Sequence, residues 1–198
     1  YSIAFGKWNA NAGVRYEHRE TEYYQKGIHM EEQSLTYNDF IPTASISWAD
    51  KGFNLALSYQ MMRSYPAYNN LSNAISYRSQ YSYDTGNPLL EPSQINILGL
   101  KISYKWFYAS LQYQRIKNNI ANITMPYNEE THPGVLLFTA ANLATYNGYS
   151  LNLVASPQIG VWQPQFIAGA SLNTPDGGDL GIDVYHKEPT FYFNWDNS

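Results

Sequence analysis

The sequence predicts an all-β fold: an antiparallel up-and-down meander of long strands that forms part of a transmembrane β-barrel. Three observations predict it. Apolar and polar residues alternate with period two over long runs, and only an extended chain sorts residues i and i+2 onto one face. The links between these runs alternate between short and long, as in barrels that present short turns to one side of a membrane and long loops to the other. Charged residues make up only 14% of the chain, while aromatics reach 16% with 19 tyrosines. A soluble domain carries about twice that charge; a lipid-facing wall needs little and uses aromatics at both interfaces.

Taken in order, Trp8, Ala10, Ala12, Val14 and Tyr16 alternate with Asn9, Asn11, Gly13, Arg15 and Glu17. Phe40, Ala44, Ile46 and Trp48 alternate with Thr43, Ser45, Ser47 and Ala49. Phe53, Leu55, Leu57, Tyr59 and Met61 alternate with Asn54, Ala56, Ser58 and Gln60, sets that helical spacing would scramble. The same holds for Leu98, Leu100, Ile102 and Tyr104, and then for Phe107, Ala109, Leu111 and Tyr113. Later strands are marked by Tyr149, Leu151 and Leu153, by Phe166, Ala168, Ala170 and Leu172, and by Phe191, Phe193 and Trp195. Such strands exceed the usual five or six residues of soluble sheets and match the roughly ten tilted residues that cross a hydrocarbon core. The polar faces are Ser, Asn, Gln and Gly, which suit a wet lumen.

Short links stand at Gly6–Lys7, Asp50–Lys51–Gly52 and around Lys105–Trp106, with a Pro-bearing one from Ser156 to Pro164. Long polar stretches, read as loops, cover residues 20–38, 64–93, 117–145 and 173–188. Trp8, Trp48, Trp106 and Trp162 lie beside the short links, which places four of the five tryptophans at one interfacial girdle. No linker or low-complexity segment divides the chain, so residues 1–198 read as a single domain. Tyr1 opens in what reads as mid-strand, and Trp195-Asp196-Asn197-Ser198 reads as a strand cut short, so the expectation is a partial barrel within a larger protein.

The chemistry of other function classes is missing from the sequence. Cysteine is absent, which excludes disulfides and thiolate metal sites. The net charge of -4 comes without a basic run, so nucleic acid is not an expected partner. The four histidines, His18, His29, His132 and His186, are scattered without metal-ligand spacing. Asp176-Gly177-Gly178-Asp179 lacks the ligand spacing of a calcium loop and reads as a Gly-rich turn. Glu31-Glu32 and Glu129-Glu130 are adjacent on an extended chain and point apart, unlike a catalytic pair. No nucleophile elbow or phosphate loop is present. The expectation is a protein that is not an enzyme and holds no cofactor or metal.

The candidate ligand-binding residues sit in one loop: Tyr65, Tyr68, Asn69, Asn70, Tyr77, Arg78, Tyr81 and Tyr83, with Asn73 nearby. Tyrosine faces stack on flat ligands and amides both donate and accept, a mixture that suits sugars or aromatic siderophores. The same tyrosines are equally suited to packing the loop itself. Arg15, Arg63 and Lys101 are expected on or near the lumenal face, as ordinary polar lining or as contacts to an inner domain.

Residues 50–101, DKGFNLALSYQMMRSYPAYNNLSNAISYRSQYSYDTGNPLLEPSQINILGLK, carry a family signature. The tight turn, the Arg63-Ser64-Tyr65-Pro66 strand end and the closing Gly86-Asn87-Pro88-Leu89-Leu90-Glu91-Pro92 resemble the barrel portion of TonB-dependent outer-membrane receptors of the Bacteroidetes type. Gly6-Lys7-Trp8, Ala12-Gly13-Val14-Arg15-Tyr16-Glu17, Asp39-Phe40-Ile41-Pro42, Asn142-Leu143 and Gly148-Tyr149-Ser150-Leu151-Asn152-Leu153 follow in the same order. The usual Arg-Pro-Ser-Tyr order is altered, and Glu91-Pro92 reverses the common Pro-Glu. The resemblance implies a bacterial outer-membrane location and import of a scarce nutrient with TonB-derived energy. It also implies partners outside this chain: outer-membrane lipid, a plug domain, the rest of a barrel of about 22 strands, the TonB complex, and a small-molecule, glycan or peptide ligand. The competing expectations are a soluble glycan-binding module, whose apolar faces would pair around one core, and an adhesin-like surface protein without transport.

Overall fold

The computed structural model describes residues 1–25, 27–31, 34–176 and 188–197. In chain order its first elements are β1 (Ser2–Phe5), β2 (Trp8–Thr21), β3 (Tyr24–Gln25), β4 (Ile28–His29), β5 (Leu35–Asp50), β6 (Phe53–Ser64) and the single helical turn α1 (Tyr68–Leu71). There follow β7 (Ser76–Ser79), β8 (Ser82–Asp84), β9 (Ser93–Tyr104), β10 (Phe107–Asn128), β11 (His132–Ala155), β12 (Pro164–Asp176) and β13 (Thr190–Asn197). Strands β1, β2, β5, β6, β9, β10, β11, β12 and β13 lie side by side in that order. Every neighbouring pair is antiparallel. Strands β3 and β4 form a small separate hairpin, and β8 adds to β11 in parallel. Among the described residues no ladder joins β1 to β13, so the sheet is an open wall.

The register sorts the two faces cleanly. Ala10, Ile46, Leu57, Leu100, Leu111, Leu151, Ala170 and Phe191 stand opposite one another in one row from β2 to β13. One residue along, Asn11, Ser45, Ser58, Gly99, Gln112, Ser150, Ser171 and Thr190 form the matching row on the other face. A slip of one residue in any strand would put a serine or an asparagine among the leucines. The apolar row is uncovered: Leu57 is 44% exposed and Phe191 73%. A soluble sandwich would pack a second sheet there; none does among the described residues. Lipid covers such a face, and the ladder leaves no backbone group to satisfy within the wall.

The band ends in aromatic rings. Phe5, Trp8, Trp48, Phe53 and Tyr104 touch in sequence across five strands, with ring centroids 5.6 to 6.4 Å apart. Trp195 lies at this same end, stacked on Phe166 at 6.4 Å, and the Trp162 indole N–H donates to Asn197. All five tryptophans therefore mark the short-turn rim, one more than sequence spacing assigned. The turns beyond it are tight: Lys51 (φ +46°) and Gly52 (φ +80°) are both left-handed, as a two-residue type I′ turn requires. Lys7 and Asp50 form a 2.6 Å ion pair across adjacent turns, outside the apolar band. At the opposite edge three phenols donate outward to an asparagine on the next strand. They are Tyr16 to Asn38 (2.6 Å), Tyr59 to Asn96 (2.9 Å) and Tyr113 to Asn147 (2.9 Å). Each ring stays in the apolar zone while its hydroxyl reaches the wet one.

Three of the four long stretches read as loops, 20–38, 64–93 and 117–145, hold regular structure among their described residues. β2 runs to Thr21 and β5 begins at Leu35, so only the middle of 20–38 connects them. Stretch 64–93 holds α1, β7 and β8. The largest correction is 117–145: β10 and β11 continue as one hairpin, paired from Phe107–Ala155 out to Asn128–His132. Residues 173–176 extend β12, and Gly177, Gly178, Asp179 and His186 lie outside the described residues.

Candidate functional site

The buried side chains cluster at the long-loop end. Tyr23, Ile41, Leu90, Val135, Ala140, Ala141 and Leu143 form what core the described residues have. This end is where β10 parts from β9. Their ladder stops at Lys117–Gln94, and Asn118 takes a left-handed φ of +53°. A clamp of polar groups holds the branch point. The Asn118 carbonyl accepts from Ser93 Oγ (2.8 Å) and from Asn142 Nδ2 (2.9 Å). Asn142 Oδ1 accepts from the Glu91 N–H (2.8 Å), its amide donates to the Glu91 carbonyl (2.9 Å), and Asn118 Nδ2 donates to Glu91 Oε2 (2.5 Å).

The Gly86–Pro92 segment closes the loop onto this clamp. Gly86 N–H donates to the Ser72 carbonyl (2.7 Å) and Asn87 N–H to the Asn70 carbonyl (2.6 Å). A Cβ on Gly86 would lie 2.5 Å from both the Asn70 and Ser72 carbonyl oxygens, so no side chain fits. The Asn87 side chain accepts from the Leu89 N–H (2.9 Å) and donates to the Ala140 carbonyl (3.2 Å). Leu90 is fully buried beneath it.

Between this loop and the hairpin lies a cleft of about 600 Å³. Asn69, Asn70 and Ser72 form one wall, Ser76, Arg78, Asp84 and Thr85 the second, and Asn122, Phe138 and Ala140 the floor. β8 shapes it by pairing Ser82, Tyr83 and Asp84 with Leu136, Leu137 and Phe138. Phe138 and Ala140 share the alternation of Ser150 and Asn152, so the floor continues the lumenal face of the wall. Arg78 Nε forms an ion pair with Asp84, and the guanidinium lies 5.1 Å over the Phe138 ring. On the opposite face of these strands, Tyr83 meets Tyr77 edge-on at 4.7 Å and Tyr127 at 5.0 Å, and Tyr127 meets His132 at 5.3 Å.

A second cluster fills a notch in the wall. The β5–β6 ladder ends at Thr43–Gln60, beside Pro42, which has no N–H to continue it. Beyond that point Asp39 accepts from Arg63 Nε (2.8 Å) and from Tyr65 Oη (3.0 Å). Arg19 lies 4.5 Å over the Tyr65 ring, and Tyr37 lies 5.5 Å from it. Burial and the Asp39 hydrogen bond push the Tyr65 phenol above its ordinary pKa. Arg63 stands opposite Gln94, on the alternation of Tyr59 and Met61, and so not on the lumenal face. It reaches Asp39 only because the strands have parted. Arg15, paired with Glu17 at 2.8 Å, and Lys101, opposite Ser110, do lie on the lumenal alternation.

The eight predicted loop residues thus divide. Asn69, Asn70 and Arg78 line the cleft, whereas Tyr77 and Tyr83 meet each other on the opposite face, Tyr83 beside Leu137. Tyr68 and Tyr81 point to solvent, and Tyr65 belongs to the notch. Sequence reasoning missed Asp84, which adjoins the predicted loop residues, and Asn122 and Phe138, which the β8–β11 pairing and the long hairpin bring in from far along the chain.

Comparison with known proteins fits this geometry. No curated protein matches the chain. Three solved structures share the fold. The FrpB iron transporter of Neisseria meningitidis (F5-1 variant) is 16% identical with a TM-score of 0.58, over 94% of this chain and 27% of that one. The siderophore receptor PirA of Pseudomonas aeruginosa is 14% identical with a TM-score of 0.52, over 85% and 34%. The Serratia marcescens hemophore receptor HasR, a double mutant solved with its hemophore HasA and heme, is 11% identical with a TM-score of 0.53, over 93% and 35%. The chain therefore spans about a third of their length. The sequence pattern of the outer membrane protein beta-barrel family matches residues 1–198 throughout. With its lipid-facing row, its aromatic rims and this match over its full length, the chain belongs to the outer membrane protein beta-barrel family and is a stretch of wall in the bacterial outer membrane.

Proposed function

We propose that this wall is part of a receptor that captures a scarce nutrient at the cell surface and imports it with TonB-derived energy. One observation carries the reading: the cleft opens on the face of the β10–β11 hairpin that continues the lumenal face. A ligand held there would sit at the mouth of the barrel. The likeness in fold to an iron transporter, a siderophore receptor and a hemophore receptor supports it. In this reading Asn69, Asn70 and Arg78 contact the ligand, with Tyr65, Tyr68, Tyr77, Tyr81 and Tyr83 at greater distance. The remaining strands, a plug and the TonB complex are partners supplied outside this chain. Function lies in binding and passage, without a catalytic group or a resident cofactor.

The test is uptake by cells that carry the full-length gene as their sole route for a labelled nutrient. Uptake is expected to fall to background when the TonB system is deleted or the proton gradient is collapsed. Surface binding that persists without any energy-dependent uptake would overturn transport and leave a surface-exposed binding protein.

A further inference from the structure

We propose that the cleft at the mouth takes a neutral, polyhydroxylated ligand, a short oligosaccharide, rather than an anionic iron chelate. The inference rests on the reading of the wall as part of a nutrient receptor and names the class of nutrient. Its first support is the balance of charge. The cation in the cleft, Arg78, is neutralised within it by Asp84. An anionic ligand would have to break that pair or lie against the Asp84 carboxylate. A hydroxyl has no such conflict, because the joined guanidinium and carboxylate offer a donor and an acceptor side by side.

The second support is the lining. Asn69, Asn70 and Asn122 each present both donors and an acceptor, and Ser76 and Thr85 add hydroxyls. Such groups match a ligand that carries many hydroxyls, each able to donate and to accept. The third support is shape. At about 600 Å³ the cleft lies within the range of roughly 300 to 1,000 Å³ for small-ligand sites. The Phe138 ring in the floor is covered by the Arg78 guanidinium, 5.1 Å from its centroid, so the groups left for a ligand are polar.

The experiment uses the full-length protein in detergent and isothermal titration with maltohexaose, cellohexaose, mannohexaose and laminarihexaose. A hyaluronan tetrasaccharide, a ferric tris-catecholate and haem serve as anionic probes. At least one neutral sugar is expected to bind below about 1 mM. Asn122→Ala is expected to weaken it about tenfold, the effect of one well-placed hydrogen bond. Asp84→Asn, which leaves Arg78 unneutralised, is expected to weaken the neutral sugar and to strengthen an anionic probe. Heat-modified migration on a gel checks that each variant retains its barrel. If no neutral sugar binds, or if an anionic chelate binds and Asp84→Asn does not improve it, the assignment fails. TonB-dependent uptake of a chelate without sugar binding would overturn this inference and leave the transport proposal standing. Sugar binding without TonB-dependent uptake would do the reverse.

Discussion

The notch between β5 and β6 sets up a measurable coupling. Asp39 is almost fully buried, and its carboxylate holds two groups from the far side of the gap, Arg63 and Tyr65. Its contacts to Arg63 measure 2.8 Å at Nε and 2.7 Å at Nη2, and that to Tyr65 3.0 Å. Removing one partner of a fully buried ion pair costs about 3–5 kcal/mol. The Arg63 side chain keeps 24% of its surface in solvent, so its stranded charge is partly hydrated and the cost falls toward the lower end. Asp39→Ala is therefore expected to destabilise by about 3 kcal/mol, Arg63→Ala by about 2–3, and Tyr65→Phe by about 1. The double variant is expected to cost about 2 kcal/mol less than the sum of the singles. The assay is urea unfolding of the full-length protein in lipid vesicles, followed by tryptophan emission. Additivity of Asp39→Ala and Arg63→Ala to within about 0.5 kcal/mol would refute the claim that this pair joins the strands where the ladder has stopped.

Three further outcomes follow from the geometry. Leu57→Arg, in the middle of the lipid-facing row, is expected to cost about 2–4 kcal/mol in the same unfolding assay. Ser58→Arg, on the lumenal face, is expected to cost less than about 1; equal costs would mean that the faces are wrongly assigned. Gly86→Ala puts a methyl 2.5 Å from two carbonyl oxygens, so the loop from Tyr65 to Pro92 is expected to loosen and to be cut about tenfold faster by limited proteolysis. Gly169 lies under the Tyr192 ring, which a Cβ would approach to 2.3 Å, and Tyr192 Oη donates to Asn152 across it at 3.2 Å. Gly169→Ala is expected to destabilise by about 1–3 kcal/mol, and Tyr192→Ser in the same chain to recover part of the loss; no recovery would show that the clash with the Leu151 carbonyl dominates.

The wall was legible because lipid imposes a rule on every second residue. Ile46, Leu57, Leu100 and Leu111 announce their face wherever hydrocarbon lies against them. Past the tyrosine edge no lipid remains, and neither face of a strand has to be apolar. Lys117, Asn119, Asn122, Thr124 and Pro126 consequently show no alternation, and the longest hairpin reads as a loop. Trp195 was not assigned to the girdle because no short turn follows it within the sequence; its place comes from pairing with Phe166. Arg63 lies off the lumenal face because it follows its own strand's alternation with Tyr59 and Met61, and the parting of the ladder beside Pro42 lets it reach Asp39. The loop candidates were half legible. Tyr and Asn richness located the loop, but Phe138 and Tyr127 join it only through a parallel pairing between β8 and β11 that no local pattern encodes. The family motifs, by contrast, acquire a common purpose: Asp39, Arg63 and Tyr65 meet at the notch, and Asn87, Glu91 and Asn142 meet at the clamp.

The hairpin of β10 and β11 is a cantilever. It leaves the wall at Asn118 and runs to Asn128 with β9 no longer beside it, a length of about 30 Å at the usual rise per residue, braced on its other edge by the three residues of β8. In a beam of that kind, slack at the root is magnified along its length. Play of about 1 Å across a root the width of two strands, about 10 Å, would swing the tip by about 3 Å. Stiffness at the cleft thus depends on two braces: the bracket formed by Ser93, Glu91, Asn118 and Asn142 below the cleft, and the short β8 ladder at its side. Slack in the bracket would change the opening of the cleft with no change to any side chain in it.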